Sequence, residues 1–381
     1  KILINRDCHQ SAINTFILGD VEPVYIKGSI CENTYTIQGV SEQDVISAID
    51  NNEDIKVLML TYPSYYGMVF DLEKICRYAH EKGMMVIVDE AHGAHLNLSD
   101  KLPKSALEQG ADIVIQSLHK TLPAFTQSSI LHVQGDLVDK KNLERFLKIV
   151  QSSSPSYVLM SSLEIAIDIY DRYGKGLMGN LLNDIENFEA DLSKIDGVKV
   201  IKGHDATKVF ISLKDLGING YDLEEILRYK HNIQVELSNY YGVLLICTIG
   251  NDKNDFDAFL EAIKSIAKNF NENHYLKIKQ DNLNQKEAEL IHINYPNIIP
   301  KKVLSPRDAF YSDKKEVKLK DSIGKVSGEY IIPYPPGISL TSPGEIITKE
   351  VIDYILICKE YGMNVSGLKD KSLDIIEIIE N

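Results

Sequence analysis

The chain has 381 residues, 44% hydrophobic and 25% charged, which is the composition of a globular protein with room for two or three domains and excludes a disordered or fibrous chain. A net charge of −14 and a pI of about 5.2 argue against nonspecific nucleic-acid binding, which needs a basic patch, and no apolar run approaches the length of a membrane span. Cys8, Cys31, Cys76, Cys247 and Cys358 are scattered without a CxxC pair, so neither a zinc ribbon nor a disulfide framework is expected, and the thiols fit a reducing, cytoplasmic compartment.

Lys1-Ile2-Leu3-Ile4-Asn5-Arg6-Asp7 meets charge too early for a signal peptide and reads as a buried strand already under way; a chain opening on Lys reads as a fragment without its true N-terminus. To about residue 135, short apolar runs alternate with helical patterns. Strands are expected at Ile2–Ile4, Pro23–Ile26, Lys56–Thr61, Met84–Asp89, Asp112–Gln116 and Ser128–Val133, and helices at His9–Leu18, Ser41–Asn51, Leu72–Lys82 and Lys104–Gln109. Continuous Val/Ile/Leu runs joined by helices predict an α/β fold with a mainly parallel sheet covered on both faces. Ligands of such sheets sit beyond the carboxyl ends of the strands. His9, Tyr62–Gly67, Asp89 and Ser117–Lys120 all map to that edge.

Leu137–Val150, Ser161–Tyr173 and Leu177–Ile195 read as long helices. Strands near Val198–Ile201 and Lys208–Leu213, a helix at Asp222–Lys230, strands near Ile233–Glu236 and Val243–Cys247 and a helix at Asp255–Asn269 predict a smaller α+β domain. Asn269–Lys302 is polar, apart from a helix pattern at Lys286–Leu290, and reads as a linker. A last unit starts with a helix at Ser305–Phe310, continues in extended segments and closes with a helix at Ile346–Tyr361. The expected domains are 1–175, 176–270, a linker at 271–302, and 303–381. Gly174-Lys175-Gly176-Leu177-Met178-Gly179 matches GxGxxG but leaves a helix rather than a strand, so it reads as a helix–turn–helix corner and not a dinucleotide site.

The chemistry concentrates at two strand ends. Asp89 ends the run Met84–Val88; 31 residues on, Lys120 follows the run Asp112–Gln116 in Ser117-Leu118-His119-Lys120-Thr121. A pyridoxal phosphate (PLP) enzyme needs this pairing: a lysine to hold the cofactor aldehyde as a Schiff base, and an acid to keep the pyridine nitrogen protonated and the ring electron-poor. Ser117 and His119 flank Lys120 with groups able to hydrogen-bond a phosphate. His92 and His95 have HxxH spacing, but no third ligand or HExxH context accompanies them, so no metal is expected. One of them can line the cofactor pocket, while His95 reads as a structural hydrogen-bonding group. His9, at a strand-to-helix junction, reads equally as a stacking imidazole or a helix cap. Near the C-terminus, Pro333-Tyr334-Pro335-Pro336 enforces a stiff segment leading to Glu345, a rigid loop whose carboxylate could shape a pocket for a cationic side chain.

Six segments in order, Arg6–Ser11, Thr61–Gly67, Val88–His95, Ser117–Thr121, Ser305–Phe310 and Pro333–Glu345, resemble the ornithine/lysine/arginine decarboxylase family, PLP enzymes of the aspartate aminotransferase-like fold. The resemblance implies a PLP-dependent transferase-like major domain followed by smaller α+β C-terminal domains. It implies that Lys120 holds the cofactor covalently, Asp89 pairs with its pyridine nitrogen, His9 stacks on its ring, and Ser117 and His119 contact its phosphate. His92 lies where some members carry a tryptophan near the ring. The family's Gly-Ser-Thr type phosphate-binding turn belongs upstream of Lys1, and the shorter group of the family is the better match. The implied activity is decarboxylation of a small cationic amino acid (arginine, lysine or ornithine) to its amine, as in polyamine biosynthesis, by a homodimer or higher homo-oligomer. An aminotransferase or lyase of the same fold, with Arg307 as a candidate carboxylate holder, and a catalytically incomplete fragment with a structural or interaction role are the alternatives.

Overall fold

Strand β1 (Ile2–Asn5) is buried at every position, as an apolar run must be when both faces of its sheet are covered. It pairs in parallel with β2 (Pro23–Ile26) and with β5 (Val57–Thr61). Helix α1 (Gln10–Gly19) joins β1 to β2 and buries Ala12, Ile13, Phe16 and Ile17, the stripe that four-residue spacing puts on one face. Asp20 ends it in the left-handed region at φ 52°. A hairpin of β3 (Gly28–Ile30) and β4 (Ile37–Val40) and helix α2 (Glu42–Asp50) follow β2. The Ser41 hydroxyl caps α2 by accepting the Asp44 N–H at 3.1 Å.

These elements and residues 289–381 form one compact unit; residues 62–288 form the other. The computed structural model describes residues 1–31, 37–272, 296, 298–334, 338–360 and 362–380.

In the second unit, α3 (Leu72–Glu81) leads into β6 (Met85–Asp89), which pairs in parallel with β7 (Ile113–Ser117); β8 (Ser129–Val133) adds to β7 antiparallel. With the ladders of β1, the fold is α/β with mainly parallel pairing, as expected. The helix expected at Lys104–Gln109 is a run of turns instead. The buried Glu90 carboxylate accepts the Ala106 N–H at 2.6 Å and the Ser105 hydroxyl at 3.1 Å, and Gly110 at φ 90° turns the chain away after one helix-like bond from Gln109 to Ser105.

β7 runs directly into α4 (Leu118–Thr121), a single turn. Helix α5 (Lys140–Val150) precedes α6 (Tyr157–Leu192), which is continuous for 36 residues. The two helices expected at Ser161–Tyr173 and Leu177–Ile195 are therefore one, and the corner expected at Gly174–Gly179 does not exist. Glycine at 174 serves packing rather than turning: a Cβ there would lie 2.5 Å from Leu98 Cδ2. An antiparallel sheet follows, ordered β11-β12-β10-β9, from β9 (Lys199–Lys202), β10 (Lys208–Ser212), β11 (Leu237–Asn239) and β12 (Gly242–Ile246), with α7 (Gly220–His231) between β10 and β11. The strand expected at Ile233–Glu236 lies at Leu237–Asn239 because α7 runs to His231 and is closed by left-handed Asn232 at φ 56°. Helix α8 (Lys253–Glu272) ends the unit's described residues.

Of the expected linker, residues 273–295 and 297 lie outside the described residues, as do the helix pattern at Lys286–Leu290 and Pro335–Gly337. The first unit resumes with a helix, Pro306–Tyr311, capped by the Ser305 hydroxyl. Strands β13 (Lys314–Lys318) and β16 (Ile375–Ile379) pair antiparallel, as do β14 (Ile332–Tyr334) and β15 (Asn364–Ser366). The helix expected to close the chain, here Lys349–Glu360, is followed by β15 and β16; Gly362 at φ 66° reverses the backbone, and the core of Val351, Ile355, Val365, Ile376 and Ile378 takes in residues from both sides of that turn.

Candidate active site

Parallel pairing in register, with Asp89 opposite Ile115, brings the ends of β6 and β7 to one edge. Asp89 is half-buried there, and its Oδ1 accepts the Ala91 N–H at 3.1 Å. Because α4 starts where β7 stops, Lys120 sits one turn beyond the same edge. Its Nζ lies 3.2 Å from Nε2 of His92. Burial pushes the Lys120 amine below the usual lysine range, opposed by the negative charges of Asp89 and Glu236.

His92 is buried, and its Nδ1 has no hydrogen-bond partner among the described residues. Burial, and then the cations Lys208 and Lys120, hold its pKa well below the usual histidine range, so the ring is neutral and its Nε2 can accept from the Lys120 ammonium. Tyr65 packs edge-on against the ring at 4.7 Å between centroids, and the Tyr65 hydroxyl donates to the Glu236 carboxylate. His119 Nδ1 lies 2.9 Å from the Ser128 carbonyl, which only accepts, so Nδ1 carries the proton and Nε2 is left over. Ser117 ends β7 half-buried and makes no capping bond to α4.

Within this unit the structure therefore gathers Lys120, His92 and Asp89, with Ser117 and His119 in the adjoining strand end and helical turn. His95 is the structural group expected: its Nε2 lies 3.2 Å from Asp205 Oδ1 and 3.1 Å from Thr207 Oγ1, all three residues buried. Burial would raise the Asp205 pKa, but His95, Lys208 and the Thr207 hydroxyl together hold the carboxyl below the usual range.

His9 belongs to the other unit. It caps α1, Nδ1 accepting the Ser11 N–H at 3.2 Å, and its ring is exposed. In that unit Glu345 corrects an expectation. It is 2% exposed, and its two carboxylate oxygens each accept an Arg6 guanidinium N–H at 2.7 Å. Glu345 also accepts the Ser342 N–H at 2.8 Å, and Arg6 covers the Tyr25 ring at 4.4 Å. The cation that Glu345 meets is thus one of the chain's own, and it is not free to line a substrate pocket. Arg307 is partly exposed and donates to the Leu18 carbonyl at 3.3 Å.

Sequence reasoning missed Lys208, Asp205, Thr207 and Glu236, and weighed Tyr65 only as part of a turn. One signal was present: Lys208 opens the otherwise apolar Val209-Phe210-Ile211, and it is 1% exposed. Among the described residues no cluster of three or more His, Cys, Asp and Glu could hold a metal ion, and no helix is long and apolar enough to cross a membrane.

Comparison with known proteins bears on this site. Residues 1–211 match the family model of the Orn/Lys/Arg decarboxylase major domain, and residues 288–372 match that of its C-terminal domain. An arginine decarboxylase of Bacillus subtilis is 36% identical over the whole chain, which spans 77% of that protein; one of Bacillus anthracis is 34% identical at the same coverage. The inducible lysine decarboxylase of Escherichia coli is 24% identical over 97% of the chain and 63% of its own length. Among solved structures, the constitutive lysine decarboxylase of E. coli superposes with a TM-score of 0.84 at 19% identity, covering 100% of this chain and 67% of that one. The lysine decarboxylase of Francisella novicida gives 0.81 at 22% identity, covering 100% and 66%. At these identities the two structures establish a shared fold.

Proposed function

Because the chain belongs to the Orn/Lys/Arg decarboxylase family and is an amino-acid decarboxylase, we propose that it uses PLP to release carbon dioxide from a basic amino acid, with arginine the substrate. The observation that carries the cofactor reading is the amine of Lys120, lowered by burial and 3.2 Å from a neutral imidazole, one turn past the strand edge that Asp89 also occupies. The side chains fit: an amine able to lose its proton, a carboxylate whose only hydrogen bond among the described residues is the one from a backbone N–H, and a buried imidazole with an unused Nδ1.

When bound, PLP supplies an aldehyde for amines to condense with and a protonated ring that takes up the electrons left by departing carbon dioxide. Lys120 Nζ is the residue that would hold it. His92 Nε2, on a ring kept neutral, accepts a hydrogen bond from Lys120, and burial favours the uncharged, nucleophilic amine. The Asp89 carboxylate would keep a proton on the pyridine nitrogen, a charge-assisted contact in a partly desolvated site. Ser117 would donate its hydroxyl to the phosphate, and His119, its Nδ1 committed to Ser128, would contribute Nε2 when that nitrogen carries a proton. His9 offers its exposed ring for stacking.

Arginine is favoured because four relatives of 33–36% identity are arginine decarboxylases. Glu236, exposed and held by the Tyr65 hydroxyl, is the acid assigned to the cationic head group. A second copy of the chain is assigned to the exposed apolar residues Phe146, Ile149, Val150, Tyr157 and Val158, large side chains each 58–79% exposed. All five cysteines are free, which fits the cytoplasm as the compartment. The test supplies carboxyl-labelled arginine, lysine and ornithine separately, traps carbon dioxide and identifies the amine. Label released from none of the three would sink the proposal; release from lysine or ornithine alone would overturn the choice of arginine.

A further inference from the structure

Glu90 is fully buried and follows Asp89 directly. A carboxyl is tolerated in such a place when donors meet it. Three donors meet Glu90: its Oε1 accepts the Ala106 N–H at 2.6 Å, and its Oε2 accepts the Ser105 hydroxyl at 3.1 Å and the Gln116 side-chain amide at 2.5 Å. A protonated carboxyl keeps the arrangement, because its O–H can turn to the Ser105 oxygen. Holding the turn at 105–106 accounts for two of these contacts. The remaining neighbours of Glu90 lie beside the site.

Gln116 precedes Ser117, and α4 with Lys120 follows at once. The Gln116 amide is fixed at both ends, its oxygen taking the Nε2–H of His132 on β8 at 3.0 Å. The Glu90 N–H donates to the Ile115 carbonyl at 2.9 Å, so backbone and side chain of one residue both grip the end of β7. On its other flank Glu90 meets the turn that carries His92. The Gly93 N–H donates to the Glu90 carbonyl at 2.9 Å, and a Cβ on Gly93 would lie 2.5 Å from Glu90 Cγ and 3.1 Å from Glu90 Cδ. Glycine is needed at 93 because the Glu90 side chain fills that space. One residue thus adjoins all three groups gathered at the strand edge: Asp89 by sequence, His92 through Gly93, and the turn of Lys120 through Gln116.

We propose that Glu90 is a positioning residue, which by holding Gln116 and bearing on Gly93 sets Lys120 against His92 and beside Asp89. The 3.2 Å contact of Lys120 with His92 joins the two segments that Glu90 ties together. Lys120 stands on a single helical turn, so a shift at the end of β7 passes directly to its amine. What Lys120 does there rests on the proposed function; where it sits does not.

Gln116→Met removes the donor and keeps the length of the side chain. Glu90→Gln combined with Gln116→Glu restores the contact with donor and acceptor exchanged, and the new carboxylate at 116 still accepts from His132. The full chain, without added PLP, is trace-labelled with acetic anhydride across pH, and acetylation of Lys120 is read by peptide mass spectrometry. Gln116→Met should raise the Lys120 midpoint by about half a unit or more toward the ~10.4 of an unperturbed lysine, because an amine no longer held at the edge is less desolvated. With PLP and the amino acid that the wild type turns over, it should lower kcat by about tenfold or more and leave KM within about twofold. The exchanged pair should recover both. Gln116→Ala replaces Gln116→Met if that variant fails to fold. A purely structural role would lower the urea midpoint and leave Lys120 labelling of the folded chain unchanged. A Lys120 midpoint unmoved by loss of the donor, or not regained in the exchanged pair, overturns the proposal. Absence of PLP binding would instead defeat the proposed function and leave the labelling measurement standing.

Discussion

Lys120 Nζ and His92 Nε2 stand 3.2 Å apart, a nucleophile and a neutral imidazole brought together by one helical turn after β7 and one loop after β6. The neutral ring sets no second positive charge beside the amine and accepts its hydrogen bond, while burial favours the uncharged amine.

Lys120→Ala should never develop the yellow colour of a lysine-bound pyridoxal, and its turnover should fall by roughly a thousandfold or more, about 4 kcal/mol in the barrier. Absorbance spectroscopy with added PLP and a carbon dioxide assay check both. Parent-level colour and turnover would remove the site assignment.

The rate at which the wild type captures PLP should rise with pH through the midpoint of the Lys120 amine and then level off, because only the neutral amine attacks. Burial lowers that midpoint, so the plateau should begin below the ~10.4 of an unperturbed lysine. His92→Gln should slow capture near neutral pH by no more than about tenfold, the scale of one hydrogen bond. Stopped-flow absorbance reads both; a rate still climbing beyond the ordinary lysine range contradicts the lowered midpoint.

Glu345→Ala should destabilise the protein by about 3–5 kcal/mol, since it strands a buried guanidinium. Changing both partners, Arg6→Met with Glu345→Leu, should recover most of the loss. Urea unfolding of the single and double variants tests this, and a single variant that unfolds with the wild type would show the pair to be slack.

Glu90 is fully buried, and burial pushes its carboxyl up to about 7, against ~4.3 in an unfolded chain. The folded state then keeps a proton that the unfolded state releases. Its contribution to stability is full below about pH 4 and is lost as pH rises through about 7, by up to about 4 kcal/mol. Glu90→Gln should flatten that decline. Denaturation midpoints from about pH 5 to about pH 8 should lie closest at low pH, where the wild-type carboxyl is protonated, and separate toward high pH with the variant the more stable; parallel curves would refute the assignment.

Gly174→Ala trades better helix propensity, about 1 kcal/mol, against a Cβ 2.5 Å from Leu98 Cδ2. Overpacking costs typically 1–3 kcal/mol, so the variant should be neutral to destabilised by about 2 kcal/mol. Combining it with Leu98→Ala should cost less than the sum of the two separate changes. A thermal-melt cycle in which the two changes simply add would show that they do not meet.

Periodicity located most of the elements near the described strand edge to within a residue or two, because a covered strand must be apolar throughout and a surface helix must carry a stripe. Its failures have separate causes. Lys104–Gln109 has helical spacing but is held in turns by a buried carboxylate from another segment. Gly174–Gly179 looked like a corner because glycine weakens a helix, yet at 174 the missing side chain makes room for Leu98. His92 was legible as a pocket residue but not as a neutral imidazole, because its state depends first on burial and then on cations at 208 and 120.

Lys120 and Asp89 could be found without coordinates because each follows its own strand, and strand ends are marked by the local run of residues. The sequence alone also carried the family, through six segments in fixed order. Partners distant along the chain were decided only by folding. Arg6 claims Glu345 across 339 positions, and His95 meets Asp205 across 110. Charge interactions fall with distance through space and are indifferent to separation in sequence, so which acid meets which base is fixed only when tertiary packing sets those distances.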